Sequence, residues 1–87
     1  MRTSTDEMVA IGQAARLTGL PVWLLRELDA RRIVVPRRSN GGRRLYDGAH
    51  VKKLQRISVL VNDRGVNLAG IQVILEMESG GSAPMEV

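Results

Sequence analysis

Five arginines in the middle of the chain, Arg26, Arg37, Arg38, Arg43 and Arg44, carry the side-chain chemistry that the sequence concentrates most. A guanidinium is permanently charged and presents a planar fork of N–H donors, which suits phosphate oxygens and the edge of guanine and breaks no bond by itself. From Arg26 to Arg56 lie ten of the thirteen cations against only Glu27, Asp29 and Asp47, so this stretch carries +7 and the rest of the 87-residue chain −3. Such segregation lowers the electrostatic cost of approaching a polyanion while the other face stays solvated or meets another partner; the alternative is an ordinary solvated surface. Other chemistry is not assembled. There is no cysteine, and His50 is the only histidine, with too few carboxylates near it in sequence to suggest a metal site. The Gly41–Gly42 pair lacks the lysine and serine or threonine of a phosphate-binding loop, and no serine, histidine and acid form a catalytic set. The expectation is a binding protein and not an enzyme, with no cofactor and no metal.

The elements that position these arginines must be small. With two aromatic residues, Trp23 and Tyr46, and no phenylalanine, the core has to come from Leu, Ile, Val, Met and Ala, which suits short helices better than a sandwich. The expected class is mainly α. No stretch approaches the roughly 20 apolar residues of a membrane span, and the N-terminus has no signal-peptide pattern, so a soluble, cytoplasmic protein is expected. Residues 1–7 and 79–87 are polar or rich in Gly, Ser and Pro and are expected to be disordered, leaving one domain over 8–78.

Within that domain the spacing predicts a short helix over Gly12–Leu17 with Ile11, Ala14 and Ala15 inward, a turn at Thr18–Gly19, and a second helix from Pro21 to about Ala30. Leu24, Leu25 and Leu28 form its apolar stripe and leave Val22, Trp23 and Arg26 nearer the outside. Ile33–Pro36 reads as a strand, Ser39–Gly42 as a turn and Arg43–Tyr46 as the returning strand, which makes a two-stranded hairpin wing with an arginine-rich tip. Asp47 caps a third helix buried through Val51, Leu54, Ile57, Leu60 and Val61, and Gly65 ends it. Asn67 caps a fourth helix, where Leu68, Ile71, Val73, Ile74, Leu75 and Met77 give more apolar surface than one face requires. That surplus is expected to meet a partner, either a second copy of the chain or another protein. The histidine is read as structural, and Trp23 as a packing residue that can still stand exposed and touch DNA.

The spacing Ala15, Gly19, Leu25 is the mechanical core of a helix-turn-helix: a small residue for close approach, a glycine for the turn and an apolar lock on the second helix. From Val9 to Met77 the sequence also resembles the DNA-binding domain of the MerR family, most of all its HspR-like heat-shock repressors. The segments that carry the resemblance are IGQAARLTGL for the first helix and turn, LLRELDARRIVVPRR for the second helix and first wing strand, GGRRLYD for the return strand, and GVNLAGIQVIL for the start of the fourth helix. The resemblance implies a winged helix-turn-helix, four short helices plus the hairpin, that binds double-stranded DNA as a transcriptional regulator of repressor type. It implies that Arg26 is the recognition-helix arginine and that Arg44 and Tyr46 lie on phosphates. Arg37, Arg38 and Arg43 are expected to join them there, and Val22 and Trp23 to face the groove. The pattern departs at Leu28, where the family has tyrosine, at Arg32, where it has glycine, and at Trp23 and Leu24, where HspR-like sequences carry polar residues. Members continue into a long pairing helix, whereas this sequence stops ten residues after Met77, so a homodimer is expected to form through the fourth helix if at all. Two rival readings are an excisionase-like DNA-bending factor and a chaperone-modulator-type module that binds protein.

Overall fold

Val9–Ala10 forms a two-residue strand, β1, that leads directly into helix α1, Ile11–Thr18; a computed structural model describes residues 8–79. The disorder expected at 1–7 and over 80–87 lies outside the described residues, whereas Ser79, expected to begin the tail, is the last residue of the final helix. Ala14 is fully buried on α1, and Ala15, the small residue of the expected helix-turn-helix spacing, packs partly buried against the same core. Thr18 closes the helix: its hydroxyl donates to Ala14 O at 2.8 Å and accepts the Leu20 N–H at 3.3 Å, so this buried polar group is satisfied. Gly19 then takes φ 77°, a left-handed turn that a side chain resists, and its N–H donates to Ala15 O at 2.9 Å.

Helix α2, Val22–Ala30, starts on the carbonyl of Pro21, which accepts the N–H groups of Leu24 and Leu25 at 3.0 and 3.3 Å. Leu24, Leu25 and Leu28 are buried as the stripe predicts. The segment after α2 departs from expectation. Ile33–Pro36 is no strand: Ile33 and Val34 are buried in the core, and their N–H groups donate to Leu28 O at 2.8 and 3.3 Å. The β-branched pair anchors the chain under α2, and the reversal runs through Arg32 at φ 61°, the left-handed region at the position where the resemblance leads one to expect glycine. The wing strands are shorter, β2 at Arg37–Arg38 and β3 at Arg44–Tyr46, and the sheet has three strands instead of two. Strand β3 lies between β1 and β2, antiparallel to both, with Val9 opposite Tyr46 and Arg38 opposite Arg44. The wing is thereby pinned to the start of α1.

Asp47 caps helix α3, Gly48–Ser58, as expected. Its carboxylate accepts the His50 N–H at 2.9 Å, and His50 Nδ1 accepts the Asp47 N–H at 3.0 Å, a reciprocal capping box that gives the histidine a structural task. The helix widens into a π turn over Val59–Asp63, where Leu60 is buried and Val61 packs against the core. Asn67 caps α4, Leu68–Ser79, by accepting the Gly70 N–H at 2.9 Å. A Cβ at Gly70 would stand 2.8 Å from a methyl of Val66, so a larger residue there would force the Val66 side chain to move. No helix among the described residues is long and apolar enough to cross a membrane.

The capping box predicts an acid limb in stability. The His50 backbone N–H holds the Asp47 carboxyl below the usual carboxylate range. A depressed folded value means the cap stabilises at any pH above the unfolded carboxylate value of about 3.9 and fades as pH falls through the folded value. Asp47→Ala is therefore expected to cost about 1 kcal/mol at pH 7 and to show a smaller gap between the melting curves of variant and parent at the most acidic pH at which both still fold. Equal gaps between the two at both pH values would contradict this.

Candidate nucleic-acid interface

On α2 the leucine stripe turns inward, and the opposite side carries half-buried Val22, exposed Trp23 and exposed Arg26. Trp23 is 65% exposed, which corrects the packing reading. It borders an open apolar groove of about 390 Å³ with Leu24, Val61 and Leu68 without being covered by it. One turn beyond Arg26, on the same side of the helix, stands Asp29.

The wing meets α2 at Asp29. Arg38 and Arg44 are directly opposite each other in the β2–β3 register and share one face of the sheet. Two like charges in that relation repel, and the Asp29 carboxylate relieves the repulsion. Its Oδ2 accepts Arg44 Nε at 2.8 Å and Arg38 Nη2 at 3.0 Å, while Arg38 Nη1 donates to Gly42 O at 3.1 Å. Asp29 is the residue that sequence reasoning missed. A signal existed, because an acid in the last turn of a helix opposes the helix dipole and needs a tertiary partner to explain it.

The other expected site residues are distributed unevenly. Arg37 alternates to the opposite face of the sheet, 66% exposed, with its Nε 3.9 Å from Asp47 Oδ2. Arg43 is exposed at the turn, its backbone N–H donating to Ser39 Oγ. Neither Arg26 nor Arg43 has an ion-pair partner among the described residues, so both forks are open to a ligand. Tyr46 does not lie on the surface. It is fully buried, its ring sits edge-on to His50 at 6.0 Å, its hydroxyl has no hydrogen-bond partner among the described residues, and burial pushes that hydroxyl above its ordinary pKa. The phosphate contact implied by the resemblance is therefore not available to this side chain as folded. Leu28, the departure from the family tyrosine, is likewise a fully buried core residue.

Helix α4 divides its apolar residues. Ile71 is fully buried in the chain's own core and offers nothing to a partner, and Leu68 and Leu75 pack against that core. Val73 and Met77, four residues apart on one face, are 55% and 63% exposed, with Ile74 half-buried beside them. Arg56 of α3 is hydrogen-bonded to Glu78 of α4, so this cation of the basic stretch turns to the last helix.

Comparison with known proteins agrees with this geometry. Residues 9–78 match the MerR HTH family of regulatory proteins. The chain is 36% identical over 77 residues to the heat shock protein candidate HspR of Streptomyces coelicolor, covering 88% of this chain and 51% of that protein. It is 35% identical over 77 residues to the HTH-type transcriptional regulator GlnR of Bacillus anthracis, covering 88% of this chain and 59% of that one. The HTH-type transcriptional regulator TnrA of Bacillus subtilis is 37% identical over 65 residues, 75% of this chain and 58% of its own length. The chain thus spans between half and three fifths of the relatives it matches.

Proposed function

This chain belongs to the MerR family of helix-turn-helix regulatory proteins, and from that premise we propose that it binds double-stranded DNA by sequence and regulates transcription, catalysing nothing. In this reading α2 lies in the major groove with Val22, Trp23 and Arg26 toward base edges, while Arg38, Arg43 and Arg44 of the wing meet phosphates and Arg37 reaches the backbone from the far face of the hairpin. The similarity to HspR favours a repressor of stress-related genes, acting in the cytoplasm on the nucleoid. A homodimer pairs through the exposed Val73 and Met77 of α4, with Ile74 at the edge.

The observation that supports this reading most is the placement of Arg26, Arg38 and Arg44. Asp29 stands one turn from Arg26 and holds both wing arginines, so the helix and the hairpin offer their charges on one continuous surface. Selection of bound sequences from a random duplex pool with the purified chain tests it. An inverted repeat is expected. Direct repeats would favour the DNA-bending reading with head-to-tail arrays, and recovery of no sequence would favour a protein-binding module.

A further inference from the structure

An acid at the centre of a surface built for a polyanion looks misplaced, and Asp29 is only 11% exposed there, at the end of α2 where the helix dipole disfavours it. We propose that Asp29 is a positioning residue for nucleic-acid binding: it presets Arg38 and Arg44 so that their remaining donors face the phosphates beside the groove that Arg26 enters. This rests on the DNA-binding reading above and deepens it.

The donor geometry carries the argument. Arg44 gives Asp29 only its Nε, at 2.8 Å, which leaves both terminal nitrogens of its fork for a phosphate. Arg38 gives Nη2 to Asp29 and Nη1 to Gly42 O, so its guanidinium is held at two points and keeps Nε and one hydrogen on each terminal nitrogen. A free arginine loses much side-chain entropy when it settles on a phosphate. Here that ordering occurs when the wing docks on α2, before any DNA arrives. The link also spans two elements, joining residues nine and fifteen positions apart, so it fixes the angle between helix and hairpin as well as the two side chains. The opposing effect is simple repulsion, because the carboxylate subtracts one charge from the face that meets phosphates.

The two effects differ in sign, which makes them separable. The full chain and its Asp29→Asn, Asp29→Glu, Arg38→Ala/Arg44→Ala and triple variants are titrated with a 24-base-pair random-sequence duplex across a range of salt. Asp29→Asn keeps the shape and removes the charge. The expected result is binding weaker by about five- to tenfold near 0.1 M salt, a log–log salt slope shallower by about one, and partial recovery with Asp29→Glu. In the background lacking both arginines, Asp29→Asn is expected to give no further loss, a result that a general folding defect would not produce. Tighter binding by Asp29→Asn, or an equal loss in both backgrounds, would overturn the proposal. Failure of the parent chain to bind the duplex at any salt would instead overturn the DNA-binding reading, so the two failures are distinct.

Discussion

Truncation of Leu25 to alanine is expected to destabilise the domain by about 2–5 kcal/mol, the range for a leucine lost from a fully packed site. Leu25 is completely buried, on the side of α2 that packs on the rest of the domain. Removing it gives up the transfer free energy of its methyl groups and leaves a cavity that Leu24 and Leu28, held in the same helical stripe, cannot move to fill. A domain of this size has little stability in reserve, and each kcal/mol corresponds to roughly 4–8 °C in Tm. Urea or thermal unfolding of Leu25→Ala should therefore show a midpoint lower by about 10 °C or more, or no cooperative transition at all. A change below about 0.5 kcal/mol, typical of exposed positions, would show that α2 is not seated as described. The consequence reaches function, because the same helix carries Arg26 on its other side.

Arg26→Ala is expected to do the reverse, leaving stability almost unchanged and weakening binding. The side chain is exposed with no ion-pair partner among the described residues, so its loss should alter unfolding by no more than about 0.5 kcal/mol. Binding should fall by about 1–3 kcal/mol, or roughly 5- to 150-fold. The pattern across sequences shows what the fork touches. A loss confined to the selected site means a base edge, and Arg26→Lys should then recover little, because an ammonium cannot reproduce the planar pair of donors. An equal loss on selected and random duplexes, with a salt slope shallower by about one, means a phosphate. Unchanged affinity on both would remove Arg26 from the interface.

The local rules were legible in the sequence wherever the cause is local. The turn at Gly19, the leucine stripe of α2 and the caps at Asp47 and Asn67 each depend on residues a few positions apart, and each stands where the spacing puts it. What depends on distant partners was not legible. Ile33 and Val34 have the composition of a strand, yet burial and two hydrogen bonds to Leu28 O outweigh that preference. Strand β1 is two residues long and exists only because β3 lies beside it. The same holds at the site. Tyr46 shares its face of β3 with Arg44 two residues before it, yet it is covered by the fold while Arg44 is not, and Trp23 is left outside because the leucines already fill the stripe. Asp29 was hidden among its basic neighbours, since its partners come from a hairpin whose register no single segment encodes.

The central claim is that arginines of α2 and the wing form one cationic surface against duplex phosphates, and its most direct measurement is the dissociation constant of the parent chain for a duplex as a function of salt. With Arg37, Arg38, Arg43 and Arg44 each neutralising a phosphate beside the groove that Arg26 enters, log Kd should rise with log salt at a slope of about 3.6 per bound chain, or about 7 for a dimer. A slope near zero, or no binding to duplex at low salt, would contradict it.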